Sequence, residues 1–444
     1  MQKILVLGAG MVAKPLVEYL LDAGYRITVA SNTPDNATRM IAGKPGGKSL
    51  YWEADDEFAL VSMIRESDLV ISLLPYRFHT LVAKACIAEK KNMVTTSYVK
   101  EEMKALNTRA MEAGIILLNE IGLDPGIDHM SAMRIIDKIH ANNGKVEAFY
   151  SICGALPAPE SADNPFKYKF SWSPKGVILA SKNNAEYLKN GKIIHIESEN
   201  LFKHRFTHNI PGLGELEVYP NRDSISYIDI YGIPEARTML RGTFRYRGWC
   251  EILDSMRELR LLSEVPADYS GYSFRDFLGS RLPEGDTGLK QRLAAFLNSR
   301  ADSMAVKAYE WLGLLSDKDM GYKTISPFEI IYNLMLAKMM IGDDDRDMIV
   351  LKHLFLASYP GGRREVITSQ MIDFGSPATN TSIARTVGLP AAIAADMILK
   401  GEINISGVYI PVKPEIYNPV LNRLEQIGIS MQESFGLPES EFIN

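Results

Sequence analysis

Cysteine is scarce in this chain: Cys86, Cys153 and Cys250 are its 3 cysteines in 444 residues. They are far apart, odd in number and outside any C-x-x-C arrangement, which argues against a disulfide framework or a zinc site and fits a reducing compartment. Positive charge is not in excess, because 49 Lys and Arg stand against 54 Asp and Glu, a formal net charge of −5. Neither nucleic acid nor an anionic membrane meets an electrostatic footprint here, so neither is expected as a partner. Long apolar runs are missing too. The amino-terminal apolar stretch is too short for a signal peptide, and residues 328–341, read as the most apolar helical stretch, carry Glu329 and Lys338 and are too short to span a bilayer. A cytoplasmic location is the expectation. Histidine is rare as well: His204 and His208 have i,i+4 spacing, but no Glu follows the first, and the segment reads as a strand on which the pair would not converge. The acidic run 342–347 lacks the alternation, central Gly and distal Glu of a calcium loop. No metal is expected.

What the chain does have, at its start, is a strand, a glycine turn and a helix: Lys3-Ile4-Leu5-Val6-Leu7-Gly8-Ala9-Gly10-Met11-Val12-Ala13. An apolar run that stops at a glycine pair and resumes as a helix leaves backbone N–H groups where a pyrophosphate can sit. Gly8 permits the tight turn, Gly10 lets the backbone approach the phosphates without a Cβ in the way, and Ala13 replaces the third glycine where helix packs on strand. Met11 and Val12 belong to the same candidate cofactor turn. Further strand-length runs at 25–30, 68–74, 92–96 and 114–118 alternate with helical patterns, as a doubly wound parallel sheet requires. The prediction is an α/β, Rossmann-type domain binding a nicotinamide dinucleotide.

The second strand ends Ala30-Ser31-Asn32-Thr33, without the acid that enzymes for NAD usually place against the ribose 2′-OH. A 2′-phosphate is not repelled there, Ser31, Asn32 and Thr33 can donate to it, and Arg39 lies one or two helical turns on. The reading is NAD(P), favouring NADP.

Residues 119–129 mix glycines and a proline with carboxylates directly after a sheet strand, like a chain leaving the carboxyl edge where ligands bind. Beyond it, strands are read at 145–153, 192–196, 201–207 and 217–219, with a further short one at 227–231. Residues 266–338 are helical in pattern, with candidate helices at 289–297, 302–315 and 327–340. An antiparallel hairpin is predicted from 347–358 and 363–374 about Tyr359-Pro360-Gly361-Gly362. Helix (382–400), strand (407–410) and helix (414–427) follow and are expected to complete the first domain. A chain of this length splits into two or three domains.

Three clusters stand out: Ser97-Tyr98; Cys153 to Glu160 with Tyr168 to Pro174; and Tyr219 to Ser224 with Leu240 to Tyr246. With them the chain resembles the saccharopine dehydrogenase family, in its L-glutamate-releasing branch, whose stretches LVISLLPY, TTSY, EIGLDPGIDH, CGxLPAPE, NPxxYKFSWS, YPNRDS and RGTxRY occur here in the same order. The resemblance runs from residue 1 to the tail and includes Glu310-Trp311-Leu312-Gly313-Leu314-Leu315. It implies a Rossmann domain at 1–122 and 385–444, an inserted α/β substrate and dimerisation domain at 123–262 and 346–384, an all-helical domain at 263–345, and a homodimer.

The implied reaction is NAD(P)-dependent oxidation of saccharopine beside its secondary amine, then hydrolysis to L-glutamate and 2-aminoadipate 6-semialdehyde, or the reverse condensation, in lysine metabolism. A substrate with three carboxylates needs cationic clamps, hydride geometry and a proton relay. By the motif match, Arg222, Thr243, Phe244 and Arg245 are substrate-side residues, with Ser97, Tyr98 and Asp124 opposite them. Asp124, Tyr98 and Cys153 are the catalytic candidates, and Leu74 and Pro75 border the nicotinamide. Ordinary structural roles compete: an Arg222–Asp223 surface ion pair, a helix cap at Asp124, a packing aromatic at Tyr98 and a small buried hydrophobe at Cys153. Two other functions stay open. One is condensation of another amine and semialdehyde, as in carboxynorspermidine synthesis, which needs fewer arginine clamps. The other is a non-catalytic dinucleotide sensor, which needs no polar cluster around Asp124, Cys153 and Arg222.

Overall fold

Short strands alternate with helices through the amino-terminal third: β1 (Lys3–Leu7), β2 (Arg26–Ser31), β3 (Gly47–Tyr51), β4 (Leu69–Ser72), β5 (Asn92–Thr95) and β6 (Ile116–Leu118). The runs Ile4 to Leu7 and Leu69 to Ile71 are wholly buried, the pattern of parallel strands covered by helices on both faces. The edge strand β3 has no apolar run in Gly47-Lys48-Ser49-Leu50-Tyr51, is half exposed, and escapes the sequence reading. The computed structural model describes residues 1–377 and 380–442, so the parts of the boundary expectations on 378–379 and 443–444 lie outside the described residues.

A larger mixed sheet follows. Its strands are β7 (Lys145–Pro157), β8 (Ala185–Lys189), β9 (Lys192–Ile196), β10 (Phe206–Ile210), β11 (Gly214–Pro220) and β12 (Thr238–Tyr246). After a helical region holding the small pair β13 (Ala267–Asp268) and β14 (Thr324–Ile325), it continues with β15 (Asp347–Ser358) and β16 (Arg364–Phe374). The β15–β16 hairpin turns at the predicted Tyr359 to Gly362. Then β17 (Gly407–Tyr409) joins β6 in parallel, and β18 (Gln432–Leu437) returns to β16. The two orders are β17-β6-β5-β4-β1-β2-β3 and β10-β11-β12-β7-β15-β16-β18, with β8 on β12 and β9 on β8.

Several local readings need correction. Residues Ser198–His204 form 3₁₀ turns where a strand was expected, and the strand starts at Phe206. Ser226–Ile230 is a helix: its β-branched and aromatic residues favour a strand intrinsically, but burial of Tyr227 and Tyr231 against the core decides otherwise. The tail does not stay wholly with the first sheet, because β18 crosses to the second. Region 263–345 is not all helical, since β13 and β14 pair there. Two of its helices begin with capping boxes, Ser273 with Asp276 and Ser326 with Glu329, which fix their starts.

The helix Ser382–Leu399 is as apolar as the stretch 328–341 and longer. Among the described residues it is the one helix long and apolar enough to cross a membrane, yet 83% of it is buried inside the protein, as in a core helix. It lies against the helix Ala13–Asp22, and a Cβ on Gly388 would sit 2.9 Å from the Val12 carbonyl oxygen. The Asp347 carboxylate, at the start of β15, accepts from the backbone N–H groups of Ser382 (2.6 Å) and Ile383 (2.9 Å). That cap ties the second sheet to the helix that closes the first.

Candidate active site

At the carboxyl end of β1, Gly8 has φ +106°, and a Cβ on it would lie 3.1 Å from the Leu73 carbonyl oxygen, so the turn admits only glycine without strain. A Cβ on Gly10 would meet nothing within 4 Å, because the residue faces a cavity of about 660 Å³. Of the predicted cofactor residues, Gly8, Gly10, Ser31, Asn32, Thr33, Leu74 and Pro75 line that cavity, whereas Met11 and Val12 do not. Met11 is 45% exposed beside it, and Val12 packs its carbonyl toward Gly388.

Ser31 is buried, with its hydroxyl 3.0 Å from Thr33 Oγ1 and accepting from Thr33 N–H at 3.1 Å. It braces the loop and leaves Asn32 and Thr33 exposed toward the cavity. Arg39 is absent from the lining and donates to the Asn36 side chain. Arg77, after β4, is the cation that lines the cavity among the described residues. Arg77 and the Trp52 to Asp55 segment are additions to the sequence reading, visible only once β3 and β4 end at one edge. Glycines at 8 and 10, a helix N-terminus and no acid ending β2 fit a dinucleotide with a 2′-phosphate.

Next along the same sheet edge, Gly122 and Gly126 cross so tightly that a Cβ on Gly126 would fall 2.1 Å from the Gly122 carbonyl oxygen. This knot presents Asp124 at its tip. Asp124 caps no helix; the Asp128 carboxylate accepts from Gly126 N–H at 2.6 Å instead. Asp124 Oδ1 accepts from the Tyr98 hydroxyl (3.1 Å) and from Arg241, whose Nη2 also reaches Asp128 Oδ2 at 3.0 Å and the Tyr98 oxygen at 3.2 Å. Burial pushes the Asp124 carboxyl above its ordinary value; Arg241 pulls it down and Asp128 pushes it up. Behind it, Glu120 accepts from Val99 N–H and pairs with His129 at 2.8 Å, and His129 contacts the Tyr231 hydroxyl at 2.7 Å. Burial opposes the charge on His129, but Asp128 and Glu120 raise its pKa.

Strand β12 faces this cluster. Alternation puts Arg241, Thr243 and Arg245 on one face, with Thr243 in register with Cys153 of β7 and with Tyr219 of β11. The Phe244 ring therefore points to the opposite face and is fully buried in core, so its side chain, unlike its main chain, is turned away from the cluster; its carbonyl accepts from Arg245 Nη1 at 2.8 Å. Arg245 is 3% exposed, surrounded by the rings of Tyr168, Trp249 and Tyr219 at 5.1, 5.6 and 5.9 Å, and has no carboxylate partner among the described residues. Its Nε is buried and unbonded. Cys153 lies among these charges, and burial pushes its thiol far up.

Arg222 is exposed, in the left-handed region at φ +52°, with its guanidinium 5.8 Å from the Tyr98 ring. It makes no ion pair with Asp223, whose carboxylate accepts from Ile225 N–H at 2.7 Å. Ser97 and Tyr98 are half-buried across from β12. No group of three or more His, Cys, Asp or Glu that could hold a metal occurs among the described residues.

Comparison with known proteins places this arrangement. Residues 4–118 match the saccharopine dehydrogenase NADP binding domain, and residues 122–429 match the saccharopine dehydrogenase C-terminal domain. The chain belongs to the saccharopine dehydrogenase family. Within that family it is similar to the saccharopine dehydrogenase [NADP(+), L-glutamate-forming] of Schizosaccharomyces pombe, at 37% identity over 98% of this chain and 99% of that one. It is also similar to the mitochondrial alpha-aminoadipic semialdehyde synthase of Bos taurus, at 40% identity over 96% of this chain. The chain spans about half, 47%, of that relative's length. Its structure is similar to the apo histidine-tagged saccharopine dehydrogenase (L-Glu forming) from Saccharomyces cerevisiae, with a TM-score of 0.90 and 36% identity, over 98% of this chain and 100% of that one.

Proposed function

We propose that this chain oxidises saccharopine with NADP and releases L-glutamate and 2-aminoadipate 6-semialdehyde, or runs the same steps in reverse. The observation that carries the reading is Arg245: a guanidinium buried without a carboxylate, on the strand face shared by Arg241 and Thr243. An uncompensated buried cation is costly, and a substrate carboxylate completes it. NADP, when bound, supplies the hydride acceptor.

The protein's own residues do the rest. Arg245, Arg222, Thr243 and Ser97 hold the substrate carboxylates and fix the amine-bearing carbon toward the sheet edge. Asp124 receives the amine proton as the C=N bond forms. Water then adds to the imine carbon, and a proton returned to nitrogen lets the C–N bond break with glutamate leaving as the amine. Arg241 holds Asp124 in place and keeps its proton affinity within working range, and Tyr98 bonds its Oδ1.

We read the assembly as a cytoplasmic homodimer, on its three free, buried cysteines and the exposed edge strand β18. We likewise keep the proposed division into a dinucleotide domain, an inserted substrate domain and a helical region. Absorbance of reduced cofactor, followed with saccharopine and NADP together with glutamate release, tests the activity. Release of lysine and 2-oxoglutarate overturns the regiochemistry, and absence of turnover overturns the reaction.

A further inference from the structure

His79 begins the helix His79–Glu89 beneath Ser97 and is 4% exposed. Its Nδ1 lies 2.9 Å from Ser72 Oγ and its Nε2 lies 2.8 Å from Ser97 Oγ, with Thr95 Oγ1 more distant at 3.5 Å. Ser72, ending β4, is fully buried, and His79 is the one partner of its hydroxyl among the described residues. A neutral imidazole offers one donor and one acceptor, so the chain of three groups runs in one of two directions.

The directions are not equivalent. With the proton on Nδ1, the ring donates to Ser72, whose own buried O–H then faces no acceptor among the described residues. With the proton on Nε2, Ser72 donates to Nδ1 at 2.9 Å and the ring donates to Ser97 Oγ at 2.8 Å; this direction keeps both short contacts and gives up only the Thr95 hydroxyl's contact with Nε2, stretched to 3.5 Å. Burial also holds the ring's pKa down to about 4, so it is neutral at physiological pH. In this arrangement Ser97 receives a hydrogen bond from behind, and its own O–H is left for the cleft.

We propose that His79 is a positioning residue: the relay Ser72 to His79 to Ser97 makes the Ser97 hydroxyl a committed hydrogen-bond donor toward a substrate carboxylate. This rests on the reading that Ser97 faces saccharopine. A free serine hydroxyl donates or accepts with equal ease, whereas one already accepting from an imidazole turns its proton outward. The site thereby favours an anionic oxygen over an amide N–H at that point. His79 itself transfers no proton.

The test combines ¹⁵N NMR of the imidazole with kinetics. The His79 ring shows a pyrrole-type Nε2 and a pyridine-type Nδ1 near neutral pH. His79→Phe raises KM for saccharopine by about ten- to a hundredfold, the loss expected for one hydrogen bond to a charged group, while kcat and the binding of reduced cofactor hold. His79→Gln, whose amide N–H sits near the place of Nε2, restores KM to within about threefold. Ser97→Ala raises KM like His79→Phe, and the double variant adds nothing further. A ring protonated on Nδ1 in an active protein overturns the assignment and leaves the activity standing, as does a kcat loss without a KM change. An inert wild type with Nε2 protonated overturns the activity and leaves Ser97 as a donor.

Discussion

Replacing Arg241 by Met removes one guanidinium and leaves two carboxylates facing each other in a buried site. The side chains of Arg241, Asp124 and Asp128 are 5%, 17% and 0% exposed, and the guanidinium lies 4.3 Å over the Tyr227 ring. Met retains much of the apolar stem contact but none of the charge. Breaking a buried pair from one side costs about 3–5 kcal/mol, which for a domain of this size corresponds to a Tm lower by about 6–20 °C.

The pH dependence separates that cause from lost packing. Asp124 is already held above its ordinary value by burial, with Arg241 pulling down and Asp128 pushing up. The folded protein therefore binds this proton more tightly than the unfolded chain does, and this group's contribution to stability falls as pH rises from the unfolded value to the folded one. Without Arg241 the folded value moves further up and the window widens. The deficit of Arg241→Met is thus largest at about pH 7 and shrinks as pH falls toward the ordinary carboxylate range. Thermal unfolding of both proteins, followed by circular dichroism across that range, reads the difference directly. A deficit that stays constant, or grows toward acid, refutes the charge argument and leaves Arg241 as a packing residue.

Three further outcomes are expected. Asn32→Asp places a carboxylate on the exposed loop after β2 and raises KM for NADP by about tenfold or more through like-charge repulsion, with NAD little affected; equal effects on both would move the ribose away from this loop. Arg222→Met raises KM for saccharopine by about tenfold or more and leaves the fluorescence titration of reduced cofactor unchanged, whereas a near-normal kcat/KM would return Arg222 to a surface role. Cys153, buried with its thiol pushed far up, resists alkylation in the native protein and reacts on unfolding, and Cys153→Ser keeps turnover within about fivefold; rapid native labelling that abolishes activity would restore it as a catalytic group.

The parallel sheet was legible because burial on both faces writes itself into apolar runs such as Leu69-Val70-Ile71, and because a glycine turn is a local event. The edge strand β3 was not, since half its residues face water and carry no such signature. Ser226–Ile230 was misread because what makes it helical is the core that Tyr227 enters, not its own composition. In the site, motif resemblance led to Asp124, Tyr98 and Arg245, yet passed over Arg241 in the same RGTFRY stretch. Its partners Asp124 and Asp128 lie more than a hundred residues away in sequence, so nothing near Arg241 announces a charge cluster. His79 was hidden for the same reason: Ser72 and Ser97 become its neighbours only when β4 and β5 pair. Phe244 is the converse case: its motif places it beside substrate, and strand alternation turns its ring into the core while leaving its main chain on the facing strand.

The entry of β17 into the first sheet has a consequence during synthesis. Strand β6 and the apolar face of the helix Ala13–Asp22 receive their covering partners from residues 382–409. At ribosomal speeds of about 5–20 residues per second, the roughly 290 residues between β6 and β17 take about 15–60 s to emerge. Throughout that interval Leu16, Val17 and Leu20 form a half-built surface on a nascent chain that cannot close. The dinucleotide-binding sheet, begun with β1 and completed only by β17, is therefore closed late, and its apolar helix face waits for residues 382–409.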